Sequence, residues 1–203
     1  IIIMSIEYYY LNPFVKYNEI FEQLGCKKGN KNELLRVIKL NPKFCRNQKA
    51  INLDYLIESI SQDVVIYITD GEGTSYNNYI VGAATVYINS RYNNNITITG
   101  ICVPFSSDKK YGTLLLNMIK IIGTKIGSKQ INLAAKESNA DFYLKNDFII
   151  NKRYLPEIRS RSSDKIDYDL DMVYTFNKTG GKKRKTYKKR NNKSKTRKNL
   201  SKH

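Results

Sequence analysis

The chain has 203 residues, 41% of them hydrophobic, with 35 Lys and Arg against 18 Asp and Glu and a formal net charge of +17. Segment 178–203 holds 13 of the basic residues and no acidic one, so 1–177 carries 22 basic against 18 acidic residues, a net of only +4. That excludes a uniformly basic protein and describes a near-neutral body, one domain long, with a basic appendage.

The single histidine is His203, which removes Ser-His-Asp and Cys-His catalysis and His-ligated zinc from the body. Cys26, Cys45 and Cys102 are far apart with no Cys-x-x-Cys pair, which argues against a disulfide framework or a thiolate metal site and points to a reducing compartment. No run approaches the roughly 20 apolar residues that span a bilayer. Ile1–Ile3 lacks a basic segment before it and is soon interrupted by Glu7, so a soluble intracellular protein without a signal peptide is expected.

Along the chain, Ile6–Leu11 reads as a Tyr-rich strand, and Asn18–Leu24, Glu33–Leu40 and Leu53–Ile60 as short helices separated by Gly-, Asn- and Pro-containing breaks. Val64–Thr69 is a continuous β-branched strand followed by a turn at Asp70–Gly73. Tyr79–Ile88 and Ile96–Val103 complete an antiparallel meander around an Asn-rich turn. Leu115, Met118, Ile119, Ile122 and Ile126 fall at helical spacing and predict a long helix with one apolar face. Gln130–Ala135 is a strand, Asn139–Lys145 a short helix and Phe148–Lys152 a strand. In Tyr168–Phe176 the residues Tyr168, Leu170, Met172, Tyr174 and Phe176 alternate with polar ones, as in a strand with one buried face. The order predicts an α+β fold with a mixed sheet, because the strand–helix–strand crossover from Val103 to Gln130 requires a parallel pair.

The chemistry-bearing stretch is Ile98–Phe148. A strand leaves through Ile101-Cys102-Val103, and a polar loop at Ser106–Lys110 leads into a helix at Tyr111-Gly112-Thr113. The first amides of a helix lack intrahelical acceptors and carry the positive end of its dipole, so this turn suits a phosphate or pyrophosphate, with Lys109 and Lys110 beside it. The Ser107–Gly112 loop, the run Lys110-Tyr111-Gly112-Thr113 and the later Phe142-Tyr143-Leu144-Lys145-Asn146-Asp147-Phe148 together resemble the acetyl-CoA-binding core of the GNAT superfamily of N-acetyltransferases. The family's patterns there are Q/R-x-x-G-x-G/A and F-Y-x-K-x-G-F. The element order agrees over most of 6–176, and the motif likeness is confined to Thr97–Phe148. Ser107 and Lys110 stand where the first pattern has Gln/Arg and its first Gly, and Asp147 stands at the last Gly of the second.

The resemblance implies a GNAT-like, mostly antiparallel sheet of six to seven strands flanked by helices over 1–177, with acetyl-CoA as cosubstrate and an amine as acceptor. It further implies that the backbone at Ile101, Cys102 and Val103 holds the thioester arm and that Lys109, Lys110, Tyr111, Gly112 and Thr113 hold the diphosphate. Asn139 would hydrogen-bond the pantetheine, and Tyr143 would protonate the departing thiolate. On periodicity alone Tyr143 reads equally as a core aromatic, and Cys102, flanked by Ile101 and Val103, as a small core residue rather than a nucleophile. Asn95–Val103 contains no carboxylate where histone-type members carry their base. Glu72 and Glu137 are the substitutes, each also readable as a solvated loop acid, with water as a further route. Asp167, Asp169 and Asp171 alternate as on the solvent face of a strand rather than as a cation site. The Arg159–Arg161 loop, flanked by serines, reads as a surface loop.

Segment 178–203 has almost no apolar residues and is expected to stay disordered. It resembles the basic tails of large-DNA-virus proteins, in keeping with the A/T-biased residue usage, and would place the protein in a host cytoplasm or nucleus. The alternative reading is a non-catalytic GNAT-fold protein that associates with nucleic acid through this tail, by phosphate charge.

Overall fold

The computed structural model describes residues 6–40, 44, 53–71, 79–103, 110–151 and 169–176. Glu72, the 104–109 part of the phosphate loop with Lys109, the 159–161 loop, Asp167 and segment 178–203 lie outside the described residues. Among those described, no helix is long and apolar enough to cross a membrane.

One eight-stranded sheet organises the chain, in the order β2-β1-β3-β4-β5-β6-β8-β7. The strands are β1 (Ile6–Leu11), β2 (Lys27–Lys28), β3 (Val64–Asp70), β4 (Tyr79–Asn89), β5 (Asn95–Cys102), β6 (Gln130–Lys136), β7 (Ile149–Ile150) and β8 (Asp169–Thr175). The strand count of six to seven is corrected to eight. The extra strand, β2, is two exposed lysines held parallel to Tyr9 and Tyr10 at the sheet edge, too short to leave an alternation in the sequence.

Five helices flank the sheet: α1 (Asn18–Gln23), α2 (Lys31–Leu40), α3 (Leu53–Gln62), α4 (Tyr111–Lys125) and α5 (Ala140–Lys145). They divide the buried side chains into two cores. Leu115, Leu116, Ile119 and Ile122 of α4 pack with Phe21 of α1, Tyr143 of α5 and the inward residues of β3 to β6 and β8. On the opposite face, Leu34 and Ile38 of α2 and Leu56 and Ile60 of α3 pack on Val65, Tyr67, Ala83 and Cys102. A sheet buried on both faces explains why β3 is buried at every position and reads as a continuous apolar run.

Candidate active site: a split between two parallel strands

β5 and β6 are parallel, but their pairing is confined to Ile96–Ile131, Thr97–Asn132 and Ile98–Leu133. Both strands continue beyond it. From Gly100 to Cys102, β5 pairs only with β4, and from Ala134 to Lys136, β6 pairs only with β8. Past Ile98 and Leu133, therefore, two backbone edges face one another without ladder bonds between them. Such edges need partners, and an extended ligand with amide groups can supply them.

The divergence has a local cause. The β4–β5 register shifts between Thr85 and Val86, which oppose Gly100 and Ile98, so Thr99 is the extra residue of a bulge. A bulge bends its strand and raises its twist, here at the residue where β5 leaves β6. It also reverses the side-chain alternation. Ile96 and Ile98 face the α4 core, and after the bulge Ile101 does so, while Cys102 turns to the α3 core. Thr99 Oγ1 donates to Asp63 Oδ2 at 2.7 Å and lies 2.9 Å from Thr85 Oγ1. Having one proton, Thr99 spends it on the carboxylate, so the buried Thr85 hydroxyl is the donor in the second bond.

The parallel crossover brings the start of α4 to this end of the sheet. Lys110 is exposed at the N-cap with φ −72°, so a non-glycine residue stands there without left-handed strain. No acidic residue occupies the first turn of α4, which leaves the amides at Tyr111, Gly112 and Thr113 unneutralised within the helix. Tyr111 is buried, and its hydroxyl donates to the carboxylate of Asp70, tying the helix start to the end of β3. Asp70 was predicted to lie in a turn. It is instead the last residue of β3 and nearly inaccessible, a placement that a continuous apolar run followed by Gly does not announce. A Cβ added at Gly112 would stand 3.0 Å from the Phe142 ring, so Gly permits α4 and α5 to meet beside the split.

α5 carries the second set of predicted residues. Asn139 is half-buried and precedes the helix, with Tyr143 one turn on. Tyr143 is 8% exposed, and its ring meets Phe142 and Phe148 edge-on at centroid distances of 5.0 and 5.9 Å. Its hydroxyl makes no hydrogen bond among the described residues, and burial pushes it up to about 12. The helix ends in a Schellman motif. Phe148 N donates to Tyr143 O and Asp147 N to Leu144 O, with Asp147 in the left-handed region at φ 66°. Asp147 thus adopts the conformation that glycine favours.

Of the other predicted residues, Ile101 and Val103 are half-buried and Cys102 is buried in the α3 core. Cys102 is disulfide-bonded, which corrects the expectation drawn from cysteine spacing, because sequence separation does not limit which residues the fold brings together. Cys26 is a free, buried thiol. Glu137 is exposed and set apart from the split, and Asp169 pairs with Lys136 at 3.0 Å on the solvent side of β8.

No protein-family model matches the chain, and no curated protein sequence matches it. Solved structures do. The catalytic domain of the Tetrahymena GCN5 histone acetyltransferase, in complex with coenzyme A, superposes with a TM-score of 0.53 at 14% identity, covering 85% of this chain and 93% of that one. A Bacillus subtilis acetyltransferase in complex with CoA gives 0.50 at 14% identity, covering 85% and 99%. A spermidine N-acetyltransferase SpeG chimera from Vibrio cholerae and hSSAT gives 0.50 at 14% identity, covering 84% and 95%. The chain therefore has the GNAT acetyltransferase fold, including the mixed, mostly antiparallel sheet.

Proposed function

We propose that the protein is an acetyl-CoA-dependent N-acetyltransferase that passes the acetyl group to a primary amine by direct attack. The observation that carries this reading is the split after Ile98 and Leu133, which leaves two facing strand edges beside a helix N-terminus. Backbone groups at Ile101, Cys102 and Val103 would pair with the amides of the pantetheine arm, and Asn139 would hydrogen-bond it. The amides at Tyr111, Gly112 and Thr113, with the side chains of Lys109 and Lys110, would hold the diphosphate.

In the transfer, the amine first loses a proton to solvent. Its lone pair then attacks the thioester carbon, a C–N bond forms, and the C–S bond breaks with its electrons on sulfur. Tyr143 donates a hydrogen bond and then its proton to that sulfur, and regains one from water. A phenol at about 12 is fully protonated at neutral pH and available as a donor. The same burial that raises it also raises a thiol in this setting, as the Cys26 thiol at about 11 illustrates, which keeps donor and acceptor within reach of each other.

The test is calorimetry with CoA, followed by thiol release from acetyl-CoA with a primary amine. Tyr143→Phe is expected to lower kcat by about a hundredfold while the KM for acetyl-CoA stays within about twofold. Absence of CoA binding at millimolar ligand would overturn the reading.

The sequence of β5, NITITGIC, holds no carboxylate and favours a second reading, a non-catalytic protein acting through nucleic acid contact. The 13 basic residues of 178–203 support such contact alongside either reading. Binding of the full chain to duplex DNA should then weaken steeply and log-linearly with salt. Salt-dependent DNA binding without thiol release on any amine would select the second reading.

A further inference from the structure

On the sheet face opposite α4, helices α2 and α3 pack against residues of β3 and β4, and beyond α3 lies an open cleft of about 280 Å³. Glu58, Ser59 and Asp63 line one side; Tyr87, Thr97 and Thr99 line the other. Its charge is of one sign: two carboxylates and no Lys or Arg. Ser59 is 6% exposed, lines the cleft, and its hydroxyl has no hydrogen-bond partner among the described residues. A hydroxyl so buried normally finds a partner, so it points to a polar ligand group in the cleft. The Tyr87 ring is 46% exposed on the strand wall, as an apolar surface for methylenes or a face for a cation.

The cleft also touches the split. Thr99 is at once its wall, the bulge residue and the first position of β5 without a β6 partner. The anion-attracting start of α4 lies on one face of the sheet and the acidic cleft on the other, so a polyanionic donor and a cationic acceptor would reach the split from opposite sides.

We propose that this cleft is the acceptor subsite and that it takes an alkylammonium chain, either a lysine side chain or a free diamine. Asp63 and Glu58 serve as its counter-charges, Ser59 accepts a hydrogen bond from its nitrogen, and Tyr87 covers its methylenes. This deepens the acetyltransferase reading and rests on it.

The test is calorimetry on the full chain, with CoA present, using 1,4-diaminobutane and Nα-acetyl-lysine methylamide as probes and butan-1-ol as the neutral control. At least one amine is expected to saturate and the alcohol not. Glu58→Gln and Asp63→Asn should each weaken the amine by about tenfold, the loss of one charge-assisted contact. Asn at 63 keeps an acceptor for Thr99 and so preserves the fold. Thr97→Lys, on a half-exposed strand position, should abolish amine binding. In all three variants the affinity for CoA should stay within about twofold, and in turnover only the KM for the amine should rise. A diamine source is read from losses in both carboxylate variants, and a lysine source from tighter binding of the lysine probe. Amine binding unaffected by all three substitutions, or no saturation by either amine while CoA binds, would overturn the proposal. Amine binding that responds to the variants in a protein with no affinity for CoA would instead overturn the acetyltransferase reading and leave the ammonium site standing.

Discussion

Burial acts on Tyr143 and Cys26 through one mechanism, because each must release an anion into a site with little water. The phenol is pushed up to about 12 and the thiol to about 11, desolvation being the leading cause in both. At pH 8 a thiol at about 11 is ionised in roughly one molecule per thousand, and the thiolate is the reactive form. Iodoacetamide should therefore label Cys26 at least a hundredfold more slowly in the native protein than in urea, as counted by mass spectrometry. Equal rates would mean that the Phe21–Tyr10 core around it opens readily. For Tyr143, a spectrophotometric titration of phenolate should show a last-ionising group near pH 12 that disappears in Tyr143→Phe.

At the next scale, three helices end in the same way. The Schellman pair closes α1 through Cys26 N to Phe21 O and Gly25 N to Glu22 O, and α4 through Ser128 N to Gly123 O and Gly127 N to Thr124 O. Gly25 and Gly127 take the left-handed residue at φ 75° and 70°, whereas α5 uses Asp147 at 66°. Glycine adopts that region without the steric cost of a Cβ, so Asp147→Gly should stabilise the protein by about 0.5–1 kcal/mol, read as a raised urea midpoint. The ion pair that it gives up, Lys120 to Asp147 at 3.9 Å, has an exposed partner and contributes little. Lys120 remains fixed by its bond to Asn146 O at 2.7 Å and by the Tyr174 ring. The bulge in β5 depends on the Asp63–Thr99–Thr85 chain. Thr99→Val leaves both partners short of a hydrogen bond and should cost about 1–2 kcal/mol by the same measurement.

Across the whole molecule, Tyr8, Tyr10, Tyr17 and Tyr67 join Tyr143 in having raised phenol values, burial being the first cause in each. Below about pH 10 folded and unfolded chains both keep these protons, and the tyrosines contribute no pH dependence. Above it the unfolded chain ionises first, so stability falls as pH climbs from about 10 toward the folded values. For Tyr143 alone the slope approaches 1.4 kcal/mol per pH unit in that window. The urea midpoint should be insensitive to tyrosine ionisation between pH 7 and 9 and fall steeply between 10 and 11, less so in Tyr143→Phe. A midpoint unchanged at pH 11 would contradict the burial of these rings.

Local patterns along the chain suffice for most of its elements and for one face of its site. Helical spacing from Leu115 to Ile126 and alternation from Leu170 to Phe176 are properties of consecutive residues, so α4 and β8 are legible without knowledge of their neighbours. The loop at Tyr111-Gly112-Thr113 and the Phe142–Phe148 segment are equally local, which is why Gly112, Asn139 and Tyr143 were reachable from spacing. The split, the bulge at Thr99, the disulfide at Cys102, the burial of Asp70 and the union of Glu58, Ser59 and Asp63 with Thr97 and Thr99 belong to the tertiary structure. Each depends on which strand lies beside which, a matter of pairing between residues tens of positions apart. No local periodicity encodes that pairing, and it is settled by the joint burial of two cores on one sheet.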